Sequence, residues 1–398
     1  MAKTLKRSLP LIAVTLYGLG NILGAGIYVL IGKVAGTAGE GTILAFIVAM
    51  VIAGLTAFSY MELVGRYPVS ASVSMYLHEA FGKRWLSVLV GLVMVAGGIT
   101  SAAALAQGFA GYLHQVIAIP ELVASVLLLV AIGLLAMRGI GESAIVAGLF
   151  TFLEIGGLAV IIWAGQEHIT TSNAVAALHP ATGLVGVLPG AFLAFYAFIG
   201  FEDMVNVAEE VKNPRRTMPL AILLSLGIAT VLYLLVVLVA TTAISPGELA
   251  GSEAPLSLVF DRLSTINPLY ITVIGISAAI NGIVVQIIMG SRILYGLAKK
   301  GWLHHELARL HETRRTPLLA TGLVTISMIV ATIALPLVSL AQLTSFLILG
   351  IFTMVNVALI KIKRDHPRHG GFVTVPMLIP VVGALSCSGV ALYQFFNV

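Results

Sequence analysis

The chain has 398 residues, of which 59% are hydrophobic and only 10% charged, with a mean hydropathy of +1.05 and a net charge of +5. A soluble domain carries about 25% charged residues, so this composition excludes a soluble globule and indicates an all-α polytopic membrane protein. The one cysteine, Cys387, excludes an internal disulfide and a cysteine-based metal site.

Apolar runs of about 20 residues are long enough to cross the hydrocarbon core of a bilayer. They predict about eleven transmembrane spans, over 10–33, 41–66, 85–113, 121–137, 143–165, 184–208, 218–243, 269–297, 318–336, 339–361 and 373–396. Residues 1–10 form a short basic head that runs into span 1 without a small-residue cleavage site, so span 1 is expected to be retained. With the N-terminus in the cytoplasm, all of the 22 Lys and Arg residues except Lys33 and Arg262 fall on the cytoplasmic side. The odd span count then leaves the C-terminus outside. The basic excess is topological and argues against nucleic acid as a partner. The expected location is a cell (inner) membrane, with membrane lipid as surroundings.

Span 1 is interrupted where a membrane helix should be most regular, in Gly20-Asn21-Ile22-Leu23-Gly24-Ala25-Gly26-Ile27-Tyr28. Each glycine inside a helix costs about 1 kcal/mol relative to alanine. Backbone unwinds in a bilayer only where protein or a water-filled cavity meets its freed groups. After span 2, residues 69–81 read as an interfacial helix or an ordinary loop. Span 3 is rich in small residues, with Gly97, Gly98 and 101–104, which serve close packing or a pocket wall; Ser101 is a candidate lining residue. In span 5, Glu154 has no local partner that explains it. Ionisable residues at that depth mark a substrate, ion or proton path, or a structural bridge. The stretch 166–183 is polar and lacks Lys and Arg.

Span 6 is interrupted in turn, in Phe195-Tyr196-Ala197-Phe198-Ile199-Gly200-Phe201-Glu202-Asp203. Glu202 is read as functional or as a carboxylate bonded to freed backbone, and Asp203 as a cap of the second half-helix. Phe201 is read as a gate or as packing. Residues 245–263 are long enough to form a lid. Span 8 holds Asn281 and Gln286 in an apolar run, each suited to a helix–helix hydrogen bond, with Asn281 also a candidate coupling residue. Residues 303–310 read like 69–81.

Interrupted segments at matching positions of two chain halves point to a transporter site. Spans 1–5 (10–165) and 6–10 (184–361) each begin with one, and five spans per half make the halves an inverted repeat, with span 11 (373–396) outside it. The half-helix that starts near Gly26 aims its N-terminal amides and positive dipole end into the gap, which suits a carboxylate. Carbonyls freed near 197–199 suit an ammonium. No nucleophile–base set, metal-ligand spacing or phosphate loop is present, so the residues indicate no enzyme and no cofactor.

Three stretches resemble one family. Leu23-Gly24-Ala25-Gly26-Ile27-Tyr28-Val29-Leu30 is similar to the span-1 signature of amino acid–polyamine–organocation transporters. Residues 198–202 and 208–219 resemble their span-6 signature and the loop after it, and 291–298 with Gly301 match the end of span 8. The resemblance covers nearly the whole chain. It implies the leucine-transporter-like five-plus-five inverted-repeat fold, with discontinuous helices 1 and 6, and alternating access. It puts the substrate carboxylate on the amides of Gly24, Ala25 and Gly26 and the amino group at the carbonyls of Phe198 and Ile199. Asn21, Ile27, Ser101, Ala197, Phe201 and Glu202 complete the expected site. Two departures stand out: the family usually has twelve spans, and many members carry a lysine where Glu154 stands. Glu154, Glu202 and Asn281 are the candidates for coupling to a proton or sodium. The expected activity is secondary transport of an amino acid by a monomer or homodimer. The alternatives are a carrier of cationic amines without a carboxylate, since membrane depth holds two glutamates and no Lys or Arg, and a non-transporting sensor.

Overall fold

A computed structural model describes residues 9–68, 73–139, 144–180, 183–312, 314, 316–367 and 371–396; the side chains of Ala25 and of residues 144–147 also lie outside the described part. Of the basic residues used for orientation, Lys3, Lys6, Arg7, Arg315 and Arg368 fall outside it, as do 69–72 of the first interfacial stretch.

The described chain is helical, and eight stretches are long and apolar enough to cross a membrane. One of them, Leu11–Arg66, contains both span 1 and span 2, and the shorter apolar helices Gly148–Ala164 and Leu318–Ala334 supply spans 5 and 9. The eleven expected segments are therefore all helical. Spans 3 (Arg84–His114) and 8 (Leu269–Lys299) each have 31 residues, about 46 Å at 1.5 Å per residue, which exceeds a hydrocarbon core of about 30 Å. They pack side by side, with Gly91 and Gly98 of span 3 facing Leu297 and Gln286, and Gly275 and Gly282 of span 8 facing Tyr112 and Leu105. Small residues let two long helices approach without a polar driving force.

Burial separates centre from rim. In span 6 (Val187–Glu210), 83% of the most apolar window is buried, against 28% in span 4 (Glu121–Arg138) and 28% in span 11 (Leu378–Phe396). Span 6 thus runs through the middle of the bundle, and residues 26–32 of span 1 are buried throughout as well. Span 1 is two helices, Leu11–Leu23 and Ala25–Ala38, parted only by Gly24 with an extended ψ of −175°. Span 6 begins as an α-helix, Val187–Ala194, tightens into a 3₁₀ turn at Phe195–Phe198, and opens at Ile199. It resumes as a 3₁₀ helix, Phe201–Glu210, of ten residues, where runs beyond three or four residues are uncommon. Just beyond its end, Leu9 pairs with the chain: its N–H donates to the Glu210 carbonyl at 3.0 Å and its carbonyl accepts from Lys212 N–H at 3.0 Å.

The connecting stretches carry short helices. Val73–Phe81 follows span 2, and Thr171–Leu178, started by the Thr170 hydroxyl, interrupts the polar stretch after span 5. Residues 303–310 form only a 3₁₀ turn, His305–Ala308. Pro246–Gly251 and Pro255–Leu263 build the lid region.

Where spans 2 (Thr42–Arg66), 10 (Leu337–Asp365) and 11 meet, buried polar groups are closely paired. Glu62 Oε1 accepts from Arg66 at 2.9 and 2.7 Å, and Oε2 accepts from Lys363 Nζ at 2.7 Å and from Val375 N–H at 2.8 Å. Deeper in, Asn356 accepts from the Ser59 hydroxyl at 2.6 Å and donates to Thr56 at 2.9 Å and to the Phe352 carbonyl at 2.8 Å. Thr56 in turn contacts Cys387 of span 11 at 3.5 Å.

Candidate functional site

The two interruptions lie directly against each other. Gly200 has φ +128°, a conformation that L side chains rarely adopt, and a Cβ there would stand 2.5 Å from the Asn21 carbonyl oxygen. A second contact follows one turn along: a Cβ on Gly26 would stand 3.0 Å from Ala197 Cα. Glycine at these two positions is what lets backbone meet backbone.

Hydroxyls from neighbouring spans bond carbonyls along span 1, and one of those carbonyls, that of Ile22, is at the break. Ser225 and Tyr233 of span 7 (Pro214–Ala243) donate to the carbonyls of Thr15 at 2.9 Å and Ile22 at 2.7 Å. Thr151 of span 5 (Ala144–Ala164) donates to Leu16 O at 3.2 Å, and Tyr112 of span 3 to Tyr28 O at 2.7 Å. These bonds meet the requirement that backbone in a membrane interior be satisfied by protein. The first amides of Ala25–Ala38 start at Gly24, a residue with no side chain of its own to cap them.

A cavity of about 40 Å³ opens at this crossing, lined by Asn21, Gly24 and Gly26 of span 1, Tyr196, Ile199 and Asp203 of span 6, Ser101 of span 3 and Gln286 of span 8. The Tyr196 hydroxyl donates to the Ser101 carbonyl at 3.0 Å. A smaller neighbouring space of about 20 Å³ shares Ser101, Ile199, Asp203 and Gln286 and adds Glu202, Met94 and Met289. Small-molecule pockets occupy about 300 Å³ or more, so the site is collapsed as it stands. Glu202 bends back onto its own interruption, accepting from Gly200 N–H at 2.8 Å.

A third cavity, about 290 Å³, lies at the end of the bundle that carries Arg292 and Lys300; Val285 stands on its wall and on that of the site. At the opposite end the stretch 245–263 packs against spans 1 and 3. Lys33 of span 1 donates to Ala250 O at 3.0 Å and pairs with Glu253 at 3.2 Å, while Gly111 of span 3 backs onto the Glu253 carbonyl.

The profile of the family described as amino acid permease matches residues 9–398. The chain belongs to the amino acid permease family. This permease is 30% identical, over 97% of its length, to a branched-chain amino acid permease of Bacillus subtilis (strain 168), 87% of which is covered. It is 29% identical over its full length to the methylthioribose transporter of the same organism, covering 89% of that protein. To a cationic amino acid transporter of Arabidopsis thaliana it is 30% identical over 88% of its length, covering 61% of the relative. These findings agree with the resemblance seen in the three motifs, and they mark a membrane permease rather than an enzyme.

Of the expected site residues, the permease brings Asn21, Gly24, Gly26, Ser101 and Ile199 onto the cavity wall, with Glu202 on the adjoining space. Ala197 stands behind Gly26. Ile27 is buried in the core, and the Phe198 and Phe201 side chains pack away from the cavity. Phe198 meets Tyr233 and Phe46, and Phe201 meets Tyr60 and Phe352. Phe201 is thus packing in this state. The side chain of Ala25 lies outside the described part. Glu154 is set back behind span 1. Asn281 donates to its Oε1 at 3.2 Å, and its Oε2 has no hydrogen-bond partner among the described residues. Its own carbonyl accepts from the Tyr28 hydroxyl at 2.7 Å. Tyr196, Gln286 and Asp203 line the cavity without having been assigned to it. Tyr196 falls one residue before the stretch assigned to the site. Gln286 carries a signal, a polar residue within an apolar run, that by itself suits a bond between helices equally well.

Proposed function

We propose that the permease is a secondary transporter of amino acids that works by alternating access in a cell inner membrane, with its N-terminus in the cytoplasm and its C-terminus outside. The observation that carries this reading is that the helix start at Gly24, where the N-cap residue has no side chain, lines the same cavity as the span-6 interruption at Ile199 and Gly200. One gap then offers amides to a carboxylate and, around Phe198 and Ile199, carbonyls to an ammonium. The relatives named for branched-chain and cationic amino acids support that substrate class. The two halves, 10–165 and 184–361, act as inverted repeats around the site, with 373–396 as an added helix. We read the state described as closed under the lid and opening inward through the larger cavity. Glu154, paired on one oxygen only, is the group we assign to the coupling ion, a proton or sodium, with Asn281 as its positioning partner.

The test is thermal stabilisation of the purified protein by amino acids and by amines, followed by uptake into proteoliposomes under an imposed proton or sodium gradient. Stabilisation by zwitterionic amino acids and gradient-driven uptake are the expected results. Stabilisation by amines alone would overturn the carboxylate site. It would favour the second reading, a cationic-amine carrier, for which Glu202 and Asp203 beside the cavity speak.

A further inference from the structure

The membrane-facing surface between spans 2 and 7 is notched. A Cβ built on Gly54 or on Gly227 meets nothing within 4 Å, and a groove of about 360 Å³ opens between the two helices, lined otherwise by apolar side chains and Thr230. Val51 and Leu223 on its wall remain 47% and 45% exposed. We propose that this groove holds an acyl chain of an anionic phospholipid whose head group rests on Arg216.

Three observations favour that occupant. The groove lies within two apolar spans, so the medium that covers it is bilayer hydrocarbon, which fills an apolar notch without any specific protein partner. The register of span 7 places Arg216, Leu223 and Thr230 seven residues apart, two turns each, on one face of the helix. Arg216 therefore stands about 11 Å along the helix from the near end of the groove, a separation that puts it near the head-group layer while the groove stays in the core. Finally, Arg216, Arg215 and Lys212 are exposed together, and none of them has an ion pair among the described residues. An unpaired basic cluster directly below an apolar groove matches the two ends of one anionic lipid.

Native mass spectrometry of the full chain, released from nanodiscs of equal phosphatidylglycerol and phosphatidylcholine, tests this. The expected result is a retained phosphatidylglycerol adduct. Arg216→Gln should lower the preference for phosphatidylglycerol about fivefold, the effect of one basic residue at a membrane surface. Gly227→Leu, which fills the groove, should lose the adduct with an unchanged unfolding midpoint. Equal retention of both lipids by the wild type, an adduct that survives Gly227→Leu, or a Val51→Cys disulfide that captures a second copy of the chain would each overturn the proposal. Should Gly227→Leu fail to fold, the Arg216→Gln preference decides alone.

Discussion

The polar cluster at the junction of spans 2, 10 and 11 and the one at the crossing of spans 1 and 6 are both buried in hydrocarbon-facing bundles, yet they are finished to different degrees. At the junction both oxygens of Glu62 are occupied by donors, and Asn356 uses its oxygen and its amide. At the crossing, Asn21 Nδ2 is buried with no partner among the described residues, as is Glu154 Oε2 behind span 1, and Gly24 at the helix start has no side chain to serve as a cap. A buried polar group without a partner costs about 1–3 kcal/mol. The Tyr60 hydroxyl, beside Phe352, and the Ser345 hydroxyl of span 10 are also buried without a partner among the described residues, so the contrast is one between the Glu62 and Asn356 groups and the Asn21 amide. We read the junction as a fixed anchor and the crossing as the proposed receptor.

That contrast can be broken most forcefully at the anchor. Glu62→Ala leaves Arg66 and Lys363 buried without their carboxylate, and we expect a loss of about 3–5 kcal/mol of stability. The unfolding midpoint in detergent should drop, while substrate still stabilises the folded fraction. Loss of the ligand response instead would place Glu62 in the site. Gly200→Ala comes next. The backbone conformation alone costs about 1–3 kcal/mol for a residue with a side chain, and the added methyl meets the Asn21 carbonyl. Uptake should fall at least about tenfold, the rate equivalent of 1.4 kcal/mol, with the protein still assembled in the membrane.

Asn21→Ala sharpens the contrast from the other side. Because Nδ2 has no partner among the described residues, the unliganded midpoint should hold or rise, while affinity for the substrate weakens by about 1–3 kcal/mol in a binding titration. Asn356→Ala is the control and should do the reverse. Glu154→Gln keeps a side chain that can bond Asn281 and removes the titratable group. Gradient-driven accumulation should be lost while exchange of substrate across the vesicle membrane persists, and accumulation equal to wild type would release Glu154 from coupling. The smallest effect is expected of Lys33→Ala. The Lys33–Glu253 pair is partly exposed, so its loss should cost no more than about 1 kcal/mol and show as faster labelling of a cysteine placed beneath the lid.

Much of this architecture can be read from residue order. The eleven apolar runs become eleven helical segments because few other structures satisfy backbone in a bilayer, and the two interruptions announce themselves as glycines where helix propensity should be highest. What escapes is which way side chains face. Phe198 and Phe201 flank the interruption beside Ile199, yet an offset of one residue for the first and two for the second turns each toward an aromatic cluster. Glu62 reads as an ordinary helix end because Arg66 lies four residues on, while its third partner, Lys363, lies 301 residues away in the chain. Gln286 stands out by its polarity, but only the approach of Gly98 reveals that it shares a wall with Ser101. Linear spacing reports local period and depth; pairing across the bundle is decided by packing.

The ten-residue 3₁₀ segment that ends span 6 stores length. At about 2.0 Å per residue it reaches some 5 Å further than the same residues would as an α-helix at 1.5 Å. Its far end is clasped to Leu9, two residues before span 1 begins. Rewinding it would act as a short tow-line between the two interrupted spans. A contraction at Phe201 would reach the foot of span 1 through the main chain, without help from any side chain in the cavity.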